Sequence, residues 1–309
     1  MQRVRLVSFV GTDSGPMLDP ADPWRTSGLW RSGVVVGDEV VDLTDPEVGL
    51  PGEMTDLLAM GEGAMARAAA AADGQGRRLP LAEVHLVAPV PRPPTVLAIG
   101  MNYAAHVAEF GRTPPEHQVW FNKQRTCVVG PGEPIEVPEV SDQVDYEGEL
   151  AFVIGRRCRH VPAAEAMSVI AGFTIMNDVS VRDWQWRTPT WTLGKSFDSH
   201  GPLGPVLVTT DELVDPGGLR LRTWVNEDLR QDASTGDMLF DCSAMVELLS
   251  TVCTLEPGTV VSTGTPPGVG AGFDPPRWLV PGDVVRVEIE GIGVLENPVV
   301  PAAGSDGRS

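Results

Sequence analysis

Along most of the chain, apolar residues alternate with polar ones or run in short blocks bounded by Gly, Pro and Asp, a pattern that belongs to strands more than to long helices. Arg3 to Phe9 predicts a first strand. Gly33 to Leu43 predicts a hairpin in which Gly37-Asp38 joins two β-branched runs. Met54 to Met60 and the Ala-rich stretch Ala64 to Ala72 predict two helices, the second ending near Asp73-Gly74. Pro89-Val90-Pro91-Arg92-Pro93-Pro94 can neither continue a helix nor sit in a central strand. It predicts a boundary between a small N-terminal α+β domain, residues 1–88, and a second domain, residues 89–300.

Beyond that boundary strands dominate, with candidates at Thr95 to Ile99, Val119 to Phe121, Tyr146 to Ile154, Gly172 to Met176, Pro205 to Thr209 and Thr259 to Ser262. Two hairpins are predicted at Leu219 to Gln231 and Val284 to Leu295, turning at Asn226-Glu227-Asp228 and Glu290-Gly291. Helices are short: Tyr103 to Phe110, Ala163 to Ile170 and Cys242 to Leu255. The fold class expected is α+β, mainly β, a mixed and largely antiparallel architecture with peripheral helices. No strand-GxGxxG-helix unit or GxxxxGK[ST] loop is present, so nucleotide binding has no support. Residues 301–309 are expected to form a disordered tail.

Charge narrows the classes of partner. The 309 residues include 42 acids and 23 bases, a formal net charge of −19, which argues against nucleic acid and anionic membrane surfaces. No apolar run approaches the roughly 18–20 residues that span a bilayer, and Gly11-Thr12-Asp13 interrupts the first apolar block before it reaches secretory length. Cys127, Cys158, Cys242 and Cys253 are widely spaced with no CxxC, which points to reduced thiols and a cytoplasmic location. Only Lys123 and Lys195 are lysines among the 23 bases; a compact, tunable ammonium at those positions is a candidate functional group, with chance survival as the alternative.

The candidate chemistry begins at Asp145-Tyr146-Glu147-Gly148-Glu149-Leu150. On a strand Glu147 and Glu149 share a face, about 7 Å apart along the chain, near enough to reach one cation. That face continues into Ala151 and Val153, so the acids head toward an interior, where unpaired carboxylates are costly. A solvated edge face is the alternative. Asp178, at the end of the apolar run Gly172 to Asn177, could supply a third oxygen ligand, and three such ligands with open positions suit Mg²⁺ or Mn²⁺. A helix cap or an i,i+4 pair with Arg182 would equally account for it. On a helix, His106 and Glu109 share a face, so Glu109 can orient the imidazole and raise its basicity; a surface pair stabilising a short helix is the plain reading. Lys195 lies among apolar and small residues, and Ser262 to Gly270 is a Gly/Pro-rich loop able to present N–H groups and hydroxyls to an anion, or to serve simply as a turn.

In this order the segments resemble the fumarylacetoacetate hydrolase family from about Thr95 to Val299: G-x-N-Y-x-x-H-x-x-E (Gly100 to Glu109), D-Y-E-x-E-L (Asp145 to Leu150), N-D-x-S-x-R-D-x-Q (Asn177 to Gln185), G-K-S-x-D (Gly194 to Asp198) and T-G-T-P-x-G-V-G (Thr263 to Gly270). The resemblance implies a β-roll catalytic domain in a homodimer, with Mg²⁺ or Mn²⁺ on Glu147, Glu149 and Asp178. It implies His106, Glu109 and Lys195 as catalytic groups, and Arg182, Gln185 and Thr265 as substrate contacts. Lys123 matches a position near the site, with no role assigned. The first activity implied is hydrolysis of a C–C bond in an acylpyruvate or fumarylpyruvate-like 2-oxo acid through a metal-stabilised enolate. The second is isomerisation or decarboxylation of a 2-oxo acid at the same site, and a third, of another class, is a non-catalytic binder that keeps the pocket. Trp184, Trp186, Arg187 and Trp191 lie among the motifs and either line that pocket or belong to the core.

Overall fold

A strand that is apolar on both faces must be covered on both, and the two longest such runs lie at the centre of the molecule. The structure, a computed structural model, describes residues 4–11, 30–74 and 76–302. The first part of the chain forms β1 (Arg5–Gly11), β2 (Arg31–Val36), β3 (Glu39–Asp42), α1 (Met54–Ala59), α2 (Glu62–Ala72), β4 (Arg78–Pro80) and β5 (Val84–Val87). After the Pro-rich segment come β6 (Val96–Gly100), α3 (Ala104–Glu109), β7 (Val119–Lys123), β8 (Val128–Val129), β9 (Ile135–Val137), β10 (Val144–Asp145), β11 (Gly148–Ile154) and β12 (Ile170–Asn177). β13 (Ser180–Val181), α4 (Arg182–Gln185), β14 (Gly201–Thr209), β15 (Arg220–Val225), β16 (Asp228–Ser234), α5 (Cys242–Val252), β17 (Val260–Ser262), β18 (Val284–Ile289) and β19 (Gly293–Pro301) complete it.

Twelve strands form one sheet, in the order β4-β3-β2-β1-β14-β12-β11-β17-β6-β7, with β5 also on β1 and β8 on β14. A five-stranded sheet, β16-β15-β18-β19-β9, packs beside it. Most neighbours are antiparallel; β17 with β6, β14 with β8 and β19 with β9 are parallel. Through Arg5↔Val208 and Leu6↔Leu207 the strands before the Pro-rich segment extend the sheet formed after it. The architecture is thus mainly β with few helices, as the alternation of apolar residues predicts.

The period of two decides what each face of β11 meets. Leu150, Phe152 and Ile154 join the core shared with Leu221, Val287 and Leu295 of the second sheet. Ala151 and Val153 point the other way, into the core containing Met54, Leu57 and Ala68 of the N-terminal helices. Full burial of a side chain such as Phe152 stabilises by about 1.5–3 kcal/mol. Gly148 lets the two sheets approach: a Cβ there would lie 2.2 Å from Thr223 Oγ1.

Three elements depart from expectation. The strand predicted from Tyr146 starts at Gly148, because the Tyr146 N–H donates to the Asp145 side chain (2.9 Å) and the Glu147 N–H to the Asn177 side chain (3.0 Å) in place of a ladder carbonyl. Ala163 to Val169 is a 3₁₀ helix, leading from Pro162 straight into β12; its steeper rise spans the gap with few residues. At the C-terminus, Pro301 closes β19 and the Ala302 N–H donates to Val137 O (3.0 Å). The rest of the tail, residues 303–309, and the start of the first predicted strand at Arg3 lie outside the described residues. Among the described residues no helix is long and apolar enough to cross a membrane.

Candidate active site

The buried acids Glu147, Glu149 and Asp178 converge, with one carboxylate oxygen from each lying within 4.8 Å of the others. Pairing sets this up. Gly148 faces Asn177 across β11 and β12, so Glu147 just before one strand meets Asp178 just after the other, and the Asp178 N–H donates to Glu147 O at 2.8 Å. Both lysines of the chain are buried here. Lys195 Nζ donates to Glu147 Oε2 (2.7 Å) and Asp178 Oδ2 (2.8 Å). Lys123 Nζ donates to Asp178 Oδ1 (2.7 Å), to Val179 O (3.2 Å) and to the Lys195 carbonyl. Arg182 does not pair with Asp178. Its Nη1 contacts Glu147 Oε1 at 2.6 Å and its Nε donates to Asp145 Oδ2 at 2.8 Å.

These pairings leave one acid over. Asp145, Glu147, Glu149 and Asp178 are four buried carboxylates against three buried cations, Lys123, Arg182 and Lys195. Among the described residues Glu149 forms no ion pair and accepts from the Ser262 hydroxyl (2.5 Å) and the Gly264 N–H (2.8 Å). Burial raises its carboxyl well above the usual range, and Asp178 and Glu147 raise it further. Burial acts the same way on Glu147, but Lys195 and Arg182 outweigh it and hold that carboxyl below its ordinary value. Burial pulls Lys195 down, while Asp178 and Glu147 hold it above its ordinary value. A divalent cation would remove the uncompensated charge, and an all-carboxylate donor set suits a hard ion such as Mg²⁺ or Mn²⁺. The residues fit the ion.

The Gly/Pro-rich loop proves to be a cradle for carboxylates of the protein itself. Its N–H groups are donated to Glu149 from Gly264, to Glu109 from Gly268 (3.0 Å) and to Asp145 from Gly270 and Ala271 (2.6 and 2.9 Å). Gly268 has φ +105, and a Cβ there would lie 2.0 Å from Arg230 O, so only glycine fits. The Glu109 carboxylate that Gly268 holds also accepts from His106, with Nδ1 to Oε2 at 3.0 Å. That interaction leaves Nε2 of His106 for proton exchange. Asn102 ties the entry to α3 in place, donating to Phe240 O (3.0 Å) and Thr263 O (2.7 Å).

His106, Glu147, Glu149, Arg182, Gln185, Lys195 and Thr265 line a single cleft. Glu109 reaches it through His106, and Asp178 through Lys195. Thr265 lines the cleft with its hydroxyl engaged: it donates to Gly148 O (3.0 Å) and accepts from Gln231 (2.8 Å), so it also braces β11. Gln185 accepts from Arg182 Nη1 (2.8 Å), which leaves its amide N–H groups toward the cleft. Of the aromatics, Trp186 and Trp191 line the cleft, whereas Trp184 packs edge-on against Phe197 with Arg187 over its ring. Asp145, Asn102 and Gln231 were not singled out from the sequence. Asp145 opens the D-Y-E segment and Asn102 sits in G-x-N-Y, but Gln231 carries no local signal.

Comparison with known proteins adds a direction. The family description "Fumarylacetoacetate (FAA) hydrolase C-terminal" matches residues 95–300. The mitochondrial oxaloacetate tautomerase fahd2 of Xenopus laevis is 43% identical over 299 residues, covering 96% of this chain and 90% of that protein. Among solved structures, maleylpyruvate hydrolase from Sphingobium sp. SYK-6 in complex with manganese(II) ion and pyruvate superposes with a TM-score of 0.78 at 33% identity, covering 97% of this chain and 100% of that one. The 2-hydroxyhepta-2,4-diene-1,7-dioate isomerase of Mycobacterium marinum gives 0.73 at 34% identity, covering 97% and 99%. Sequence reasoning ranked C–C hydrolysis above isomerisation; a tautomerase similar along nearly the whole chain favours the isomerase reading.

Proposed function

The chain belongs to the fumarylacetoacetate hydrolase family, and from that premise we propose that it is a divalent-metal-dependent tautomerase interconverting the keto and enol forms of a 2-oxo dicarboxylic acid of the oxaloacetate type. The observation that carries this reading is the His106–Glu109 contact at 3.0 Å, on the same cleft as three converging acids. Tautomerisation moves one proton between a carbon and an oxygen, and needs one well-oriented base beside a site that stabilises negative charge.

Glu147, Glu149 and Asp178 would hold Mg²⁺ or Mn²⁺, which when bound supplies Lewis acidity to the oxygens of the 2-oxo acid. Glu109 accepts a hydrogen bond from the Nδ1–H of His106 and so keeps Nε2 basic. Nε2 takes a proton from the carbon beside the 2-oxo group, and one proton returned to the oxygen yields the enol; the reverse path yields the ketone. Lys195, charged and desolvated, adds positive charge where the oxygen becomes anionic. Gln185, whose amide oxygen is held by Arg182, offers its N–H groups to the carboxylate beside the 2-oxo group, while Arg182 stays paired with Asp145 and Glu147. Thr265 holds the strand that carries Glu149.

The similarity to a maleylpyruvate hydrolase supports a second reading, in which His106 deprotonates a water that attacks a distal carbonyl. The test is to supply Mn²⁺ and follow decay of enol-oxaloacetate absorbance alongside pyruvate release from acylpyruvates. Accelerated enol decay without pyruvate release supports the tautomerase. Stoichiometric pyruvate release from an acylpyruvate, with no effect on the enol, replaces it with the hydrolase.

A further inference from the structure

The cations on the floor of the cleft are spent on the protein's own acids: Lys195 on Glu147 and Asp178, Arg182 on Asp145 and Glu147. A substrate with a second carboxylate finds no unneutralised charge there. Arg112 is different. It lies on the same cleft just past α3, exposed, with its backbone N–H on Val107 O (3.1 Å) and its guanidinium in no hydrogen bond or ion pair with a described residue. The same cleft is also lined by Val107, Phe110 and Phe121, whose side chains carry no donor for a second anion. In a chain of 42 acids and 23 bases, an arginine beside such a cleft with no acid partner among the described residues stands out.

We propose that Arg112 binds the second carboxylate of the substrate and selects dicarboxylic over monocarboxylic 2-oxo acids. The inference rests on the reading that this cleft takes a 2-oxo acid. The head of the molecule lies on the floor, its carbon chain passes the apolar wall, and its far end meets the guanidinium fork, whose geometry suits a carboxylate.

The test uses the full chain loaded with Mn²⁺ and two acids of equal carbon count, 2-oxoglutarate and 2-oxopentanoate, with binding followed through the fluorescence of Trp186 and Trp191. The dicarboxylate should bind about tenfold more tightly, as expected for one partly exposed charge-assisted contact. Arg112→Gln should bring the two affinities to within about twofold by weakening only the dicarboxylate, and Arg112→Lys should retain part of the preference. Near-UV circular dichroism checks that the variants keep the fold. Equal or absent binding of the two acids to the wild type, or a preference unchanged in Arg112→Gln, overturns the proposal. If the discrimination depends on Arg112 but no 2-oxo acid is tautomerised, the functional reading fails while this inference stands. If tautomerisation proceeds and Arg112→Gln discriminates like the wild type, the reverse holds.

Discussion

The floor of the cleft and the helix on its wall are held in opposite ways. Glu147, Glu149 and Asp178 come from the ends of fully buried central strands, and each carboxylate is fixed by at least two partners. His106 and Glu109 ride on α3, six residues long with no side-chain N-cap and with Val107 as its one buried residue. A helix of that length has little stability of its own. Among the described residues, the hydrogen bond that ties the dyad to the rest of the protein is the Gly268 N–H on Glu109. The difference matches two chemical tasks: charge must be placed once and kept, whereas a base must follow the proton it moves.

The sharpest way to break the comparison is to neutralise the floor. Glu147→Gln combined with Glu149→Gln should abolish Mn²⁺ binding in calorimetry and turnover together, while far-UV circular dichroism keeps the β signal; full turnover in chelator would contradict the metal assignment. On the wall, His106→Ala should lower the rate by about 10²–10⁴ and leave Mn²⁺ affinity as it was, which a paired rate and titration measurement checks. Gly268→Ala forces a side chain into a left-handed backbone against Arg230 O, and should cost about 1–3 kcal/mol in urea unfolding together with a lower kcat, since the anchor of Glu109 moves.

The smallest effect is on pH. Because folding raises the Glu149 carboxyl, its contribution is present at low pH and is lost as pH rises from the ordinary carboxylate range through the raised value. Glu147 works with the opposite sign: held low, it contributes above the ordinary range and loses that contribution as pH falls. Metal-free protein should therefore lose stability at both ends, and Mn²⁺ affinity should rise with pH as the Glu149 proton is released. Urea titrations across pH, with and without EDTA, check this; a pH-independent Mn²⁺ affinity contradicts it.

Local patterns carried much of this into the sequence. Alternation put Glu147 and Glu149 on one face with Ala151 and Val153, the face that turns toward the N-terminal helices, and helical spacing paired His106 with Glu109. What was illegible depends on contacts distant in the chain. Arg182 could as well have paired with Asp178 four residues back; instead Asp145, 37 residues away, and Glu147 take it. The loop from Ser262 to Gly270 looked ready for a bound anion, but no local signal says that its N–H groups meet Glu109, Asp145 and Glu149. Lys123, rare in this chain and matching a family position near the site, had no assigned role until the fold placed it on Asp178 and the Lys195 carbonyl. Strands of two or three residues such as β8 and β10 are too short to show any period.

The central claim is that three carboxylates, one from a strand start, one beside it and one from the end of the neighbouring strand, jointly hold one divalent ion. Anomalous diffraction from crystals grown with Mn²⁺ tests it most directly. The account predicts one strong peak within coordination distance of Glu147, Glu149 and Asp178, with Lys195 displaced from at least one of those oxygens. A cleft with no peak under saturating Mn²⁺, or a peak held by other residues, would contradict it.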